Sequence, residues 1–304
     1  MRFNPLAPGI VTGCAAVVIL ATLGLAGQML QGPEHAATAA TKPQSGIAAT
    51  SQAMVAEQEK VMMGMVQYGL TARWTVGFMV EGQKIFGSPT AYGGLRINSF
   101  FRVFPHDRLL NFTLYGEYEG LNGAALYKME VAGFGGEDLT EPLAQARRTP
   151  VRTFEQRAIM YHDWGRVNLT FNFINETSLD SSENDFGYAW GVFRQPAYNA
   201  METDHDMAGM AGMPKKEAPP MFSFQRLGCG LEMMGAIGNT HHFGFAWHRQ
   251  QQYVGPVFSY AVSKHWTAHV EPTFGLSDVS DPFVLRMGIG YSIDHLLHRG
   301  SPTP

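Results

Sequence analysis

The residues best suited by type and spacing to do chemistry lie between Gln195 and Pro220, where Asp204, His205, Asp206, Met207, Met210 and Met213 sit on a backbone of Gly and Ala. Three thioethers at every third position, beside an imidazole and two carboxylates, can converge on one soft ion. Thioether sulfur selects Cu(I) or Ag(I), and His also admits Cu(II). The competing reading is a low-complexity solvated loop in which Met recurs without a ligand role. His241 and His242 could add imidazoles, although a His pair at a strand end is more often solvated. Met62, Met63, Met65 and Met129 read instead as lipid-facing or packing residues.

Other chemistries find less support. A lipid-cleaving enzyme needs a Ser nucleophile, a His base and an orienting partner. His269 is available as a base, but no G-x-S-x-G elbow occurs and no spacing nominates a set. Cys14 and Cys229 are the two cysteines, and Cys14 falls in an apolar leader, so the remaining chain would carry one unpaired thiol and no disulfide framework. A net charge of -4 without a basic run argues against nucleic acid as a partner. No cofactor is required, and the sequence leaves the oligomeric state open.

The elements that must carry these residues are strands. In Trp266 to Phe274, large apolar residues alternate with Thr267, His269, Glu271 and Thr273, and the pattern restarts at Phe283 to Tyr291 around Arg286. Similar runs begin at Trp74, Leu95, Leu110, Val167, Phe186 and Phe243, each close to the length a tilted strand needs to cross a hydrocarbon layer. Arg96, Asn98, Arg102, Glu117, Asn168, Asn172, Glu271 and Arg286 share the face opposite the apolar one. A soluble sheet buries its apolar face. Here the pattern suits a barrel with lipid outside and a polar lumen inside, lined by those eight residues. Their mixed signs predict paired charges and a plugged lumen more than strong ion selectivity.

The reading is all-β: a transmembrane antiparallel up-and-down β-barrel of about 12 strands, following an N-terminal signal segment. Twelve to thirteen runs can be counted, and a bacterial barrel should have an even number. Residues 1–26 read as a signal peptide, with Arg2 ahead of an apolar core and Gly24 and Ala26 near a cleavage point; an uncleaved anchor is the alternative. Residues 27–60 form a flexible lead-in with a helical turn or two near Met54 to Met62, residues 61–294 the barrel with its long loop 195–220, and 295–304 a tail. Leu139 to Arg148 reads as one further helical turn or two. Counting back from a periplasmic C-terminus places the loop 195–220 outside the cell. Tyr68 to Val76 echoes Tyr260 to Ala268, each with an aromatic, a short polar turn and then Trp, as the aromatic girdle of a membrane barrel would require.

The stretches YGLTARWTVG at Tyr68 to Gly77, FGYAWGV at Phe186 to Val192, YVGPVFSY at Tyr253 to Tyr260 and FGLSDVSDPFVLRMGIGY at Phe274 to Tyr291 resemble a broad, largely uncharacterised and transporter-like group of Gram-negative outer-membrane β-barrel proteins. The run from His205 to Met213 resembles the Met-rich segments of copper-handling proteins. The resemblance implies a barrel in the cell outer membrane and no catalytic residues. Such barrels often end on an aromatic, whereas this chain continues past Tyr291 into HLLHRGSPTP.

The function expected is a non-enzymatic outer-membrane channel or binding barrel, in contact with outer-membrane lipid and a small solute or metal ion, and tied to copper or silver homeostasis through the Met-rich loop. Alternatives are an outer-membrane lipid or lipopolysaccharide hydrolase and a soluble periplasmic β-barrel that binds a ligand.

Overall fold

The computed structural model of the chain describes residues 46–55, 59–71, 73–85, 91–104, 108–122, 150–181, 183–198, 219–263 and 265–294. Twelve strands occur among them: β1 (Gly46–Val55), β2 (Glu59–Thr71), β3 (Trp74–Ile85), β4 (Ala91–Arg102), β5 (Asn111–Asn122), β6 (Pro150–Trp164), β7 (Val167–Ser178), β8 (Asn184–Arg194), β9 (Leu227–Asn239), β10 (Gln252–Ala261), β11 (Trp266–Gly275) and β12 (Phe283–Asp294). Each pairs antiparallel with its neighbours in sequence, and β1 pairs with β12, from Gly46 opposite Asp294 to Val55 opposite Leu285, so the sheet closes on itself. Closure removes the unpaired edges that an open sheet would present.

Alternation decides which side chain goes where. On β4, Arg96, Asn98 and Arg102 are buried while Ile97 and Phe101 are exposed; on β7, Asn168, Thr170 and Asn172 are buried while Leu169 and Phe171 are exposed. The exposed set continues around the wall as Phe78, Val80, Leu114, Val192, Leu231, Phe258, Val270 and Met287. An apolar exterior around a polar interior is the arrangement of a barrel that stands in lipid. Cys229 lies on this exterior as an exposed strand residue.

Trp74, Trp164 and Trp266 gather at the end that also holds the outer ends of β1 and β12. Both copies of the aromatic-turn-Trp echo are hairpins at this end, which we call the terminal end. There Trp74 Nε1 donates to Ser99 Oγ at 2.8 Å, the Arg73 guanidinium stands 4.8 Å from the Phe101 ring, and Trp266 lies 4.8 Å from Tyr291. Rings with one wet edge belong at headgroup level.

Several expectations are revised. The barrel begins inside the expected lead-in, at Gly46, and Met62 belongs to β2 rather than a helical turn. Residues 46–55 are mostly Ala, Thr, Ser and Gln and lack the aromatic residues that make other strands visible. The segment Phe243 to Trp247 is not a strand. It folds back over the outer wall, where Phe243 packs edge-on to Phe186, Phe245 to Tyr188, and Trp247 Nε1 donates to the Leu276 carbonyl at 3.0 Å. Beneath this flap, outward-facing Gln252 is wholly buried and accepts from the Tyr188 hydroxyl at 2.7 Å. Removing that one false strand changes the parity. The connection from β8 to β9, which contains the long loop, lies at the terminal end, on the same side as Gly46 and Asp294. A periplasmic C-terminus therefore puts the roots of this loop in the periplasm, not outside the cell. The leader, Leu139 to Arg148 and residues 295–304 lie outside the described residues.

Of the irregularities in the wall, two lie beside residues that shape it. The β10 to β11 ladder is interrupted between Val254 opposite Phe274 and Phe258 opposite Val270, and Pro256 and Pro272, which lack an N–H, fall in the gap. On β4 the register shifts beside Glu81, at Gly94, whose φ is 151°. A Cβ at Gly94 would stand 2.5 Å from the Gly120 carbonyl oxygen and 2.8 Å from Leu121 Cα, both backbone atoms. Replacing Gly94 by Ala should destabilise the barrel by about 1–3 kcal/mol, measured by urea unfolding in vesicles, because only Gly adopts this conformation without strain.

Candidate functional site

Asp204, His205, Asp206, Met207, Met210 and Met213 lie outside the described residues, so the structure says nothing of their arrangement. What it describes is where the loop is rooted. Arg226, at the end of the 3-10 turn Phe224–Arg226, donates to the carbonyls of Pro219, Pro220, Ala261 and Val262 at 2.7–3.2 Å and stacks 4.4 Å from Tyr198. The backbone N–H of Tyr198 donates to the Gln225 carbonyl at 2.7 Å, and the Tyr260 hydroxyl donates to the Met221 carbonyl. One guanidinium thus ties both roots of the loop to the terminal mouth of the barrel.

The other eight residues singled out, Arg96, Asn98, Arg102, Glu117, Asn168, Asn172, Glu271 and Arg286, are each at most 8 % exposed and share the inner face of the wall. They form part of a larger network. Arg96, on β4, donates through Nη2 to Glu81 Oε2 at 2.7 Å and through Nη1 to Glu119 Oε1 at 2.5 Å and Glu117 Oε1 at 3.3 Å. Strand pairing brings them together, since Arg96 lies opposite Glu119, and Asn98 opposite Glu117, across β4 and β5. Glu117 Oε2 accepts from Tyr115 Oη at 2.6 Å and Asn98 Nδ2 at 3.2 Å, and Glu119 Oε2 accepts from Thr153 Oγ1 at 2.9 Å. On β6, Arg157 Nε donates to Glu155 Oε1 at 2.5 Å and its guanidinium lies 5.0 Å from the Tyr115 ring.

The opposite wall carries a second group. Arg286 reaches Glu271 at 3.5 Å and donates to Met234 Sδ at 3.0 Å, while Glu232 on β9 lies within electrostatic reach of Glu271, Arg286 and Arg157. On β4, β5 and β6, next to the Arg96 and Arg157 groups on the terminal side, Phe100, Tyr115, Ile159 and Tyr161 form an apolar cluster, with Phe100 and Tyr115 4.6 Å apart. Asn168 donates to Asp163 at 2.7 Å near the terminal end. The described inner side chains are thus buried and largely charge-paired.

The inward residues not singled out from sequence are Glu119, Glu155, Arg157 and Glu232. Glu119 follows Glu117 by two and could have been found by extending the alternation. Glu155, Arg157 and Glu232 were hidden because β6 and β9 alternate poorly: β6 turns Ile159 and Tyr161 inward, and β9 has Gly228, Gly230 and Ala236 on its inner face. With these added, the buried strand residues of the lumen comprise six Glu, counting Glu81, and four Arg. The residues singled out from sequence are a set of mixed signs, and the structure adds more carboxylates than guanidinium groups to it.

Of the two readings open to Met63 and Met65, packing holds and lipid-facing does not: both point into the lumen and are nearly buried, as is Met79 across from Met65. His269, the base available to a hydrolase, lies on the same inner face as Glu271, away from the lipid. On the outer face, His162 stacks edge-on to Trp164 and neither ring nitrogen has a hydrogen-bond partner, so no Ser is engaged there. Among the described residues no three His, Cys, Asp or Glu converge as a metal site.

No family model and no curated protein matches the chain. Its fold is similar to that of solved porins. The KdgM porin superposes with a TM-score of 0.50 at 6% identity, over 81% of this chain and 99% of that one. The NanC porin gives 0.45 at 8% identity over 81% and 98%, and the CymD monoaromatic hydrocarbon channel 0.40 at 8% over 88% and 92%. At such identities the likeness concerns architecture alone, and the chain is an antiparallel up-and-down β-barrel.

Proposed function

We propose that this protein is a non-enzymatic outer-membrane channel for small solutes and that its lumen favours cations over anions. The observation that carries the reading is a closed barrel with an apolar exterior whose polar interior holds, among the described residues, six buried Glu against four buried Arg on its strands. Around Arg96 the imbalance is steepest, three carboxylates to one guanidinium. Fixed charges lining a pore set which ions enter. The exposed apolar residues support contact with outer-membrane lipid and count against a soluble periplasmic barrel. The inward position of His269 favours a channel over a lipid hydrolase.

The test is the reversal potential of the purified barrel in a planar bilayer under a KCl gradient. A potential of the sign that K+ permeation produces is expected. Anion preference, or no current from barrels shown to be folded, would reject the reading.

The Met-rich loop belongs to the same proposal as a ligand segment for Cu(I) or Ag(I), with His205 extending it to Cu(II). Titrating a peptide spanning Asp204 to Met213 with Cu(I) and Ag(I) tests it, and no binding would remove the copper link.

A further inference from the structure

Four side chains on the inner face of β2 and β3 form a patch that the charge network engages only through Glu81 Oε2. Met63 pairs with Glu81 and Met65 with Met79 across the two strands, while Met63 and Met65, like Met79 and Glu81, are two residues apart on one face. All four are 1–4 % exposed. Cross-strand pairs bring Cβ atoms to about 4.5–5.5 Å, and the unbranched Met side chain, with three rotatable bonds, can aim its sulfur freely.

The donors still available at this patch decide what it could hold. Glu117 and Glu119 spend both oxygens on Arg96, Tyr115, Asn98 and Thr153, and Glu81 spends Oε2 on Arg96. Glu81 Oε1 is buried and accepts no hydrogen bond. A buried carboxylate oxygen without a donor is costly, and such an atom calls for an explanation. Met65 Sδ receives a long contact from Asn98 Nδ2 at 3.6 Å and keeps a free lone pair. What remains is one carboxylate oxygen, the amide oxygen of Asn98, which is likewise buried and accepts no hydrogen bond, and three thioethers.

That set is poor for a hard cation, which wants several oxygens. It is good for a soft monovalent one, for which sulfur is the preferred donor and a single negative charge balances the ion. We propose that Met63, Met65, Met79 and Glu81 form a lumenal binding site for a soft monovalent cation, Cu(I) or Ag(I). The site is separate from the loop, since β2 and β3 belong to the wall. It rests on the interior of the barrel and not on conduction, so it can fail while the channel reading stands, and the reverse.

The probe is Ag(I), which is stable in air, measured by equilibrium dialysis against the full-length barrel in chloride-free detergent buffer. Cys14 and Cys229 are first replaced by Ser, because a thiol such as the exposed Cys229 would itself bind Ag(I). Met207, Met210 and Met213 are replaced by Leu in the same background to silence the loop. Folding of every variant is checked by its heat-dependent gel mobility. In this background a single Ag(I) should bind, and a large excess of K+ should not displace it. Met63→Leu, Met65→Leu and Met79→Leu together keep the volume and should weaken binding by at least about tenfold by removing the soft donors. Glu81→Gln should weaken it less. No binding in the parent background, equal affinity after the triple Leu exchange, or displacement by K+ would overturn the site.

Discussion

Exchanging Arg96 for Met should destabilise the folded barrel by about 3–5 kcal/mol, among the largest single-residue effects expected in this chain, because it leaves buried carboxylates without their cation. Arg96 is 4 % exposed and donates to Glu81, Glu119 and Glu117, which are 1 %, 0 % and 2 % exposed. Met keeps most of the aliphatic volume, so the loss measures charge and hydrogen bonding more than packing. The cost is the penalty of an uncompensated charge rather than the worth of the ion pairs. Joining Arg96→Met to Glu81→Gln, Glu117→Gln and Glu119→Gln should therefore recover much of the stability, although each change alone is unfavourable. Contacting residues are expected to be strongly non-additive. The readout is the urea midpoint of tryptophan fluorescence in vesicles. Wild-type stability for Arg96→Met would mean that the three carboxylates are not held against this guanidinium.

The same cluster shows how far residues alone could be read. The inward placement of Arg96, Asn98 and Glu117 follows from period-two alternation, because their outward neighbours Ile97, Leu114 and Tyr118 are large and apolar. Where the inner face itself turns apolar, as with Ile159 and Tyr161, or shrinks to Gly228 and Gly230, alternation loses contrast and the strand disappears from view. The mixed signs of the lumen were legible, but its acidic excess was not, because Glu81, Glu119, Glu155 and Glu232 against Arg157 lay outside the eight residues.

The flap at Phe243 to Trp247 shows the opposite failure. Alternating Phe, Gly, Phe, Ala and Trp reads as a membrane strand, yet these rings are exposed or packed against rings already on the wall. A segment that covers the lipid-facing wall has the same alternation as one that forms it. Only pairing partners separate the two, and those are set by distant residues such as Gln252 and Leu276. The Met-rich loop is a third case. Its chemistry is legible in the residues, but its side of the membrane depends on the parity of every strand after it.

Whether the exterior faces lipid can be settled by a charge placed at two depths. Ile97 lies at the middle of β4, is 51% exposed, and is flanked across the sheet by Phe78 and Tyr118. Leu110 is 55% exposed but lies at the terminal end, just before β5. On a barrel in a bilayer, Ile97→Arg should cost about 2–4 kcal/mol and Leu110→Arg about 0–1 kcal/mol, because the cost of a lipid-facing cation falls from the midplane to the interface. On a barrel in water both positions are exposed surface, and either change should stay within about 0.5 kcal/mol. The difference between the two variants is more informative than either value, since the introduced arginine is the same and both sites are comparably exposed. Urea unfolding in vesicles reads it. A gap of about 2 kcal/mol or more places Ile97 in hydrocarbon, and equal costs at the two depths would withdraw the lipid-facing assignment and with it the channel.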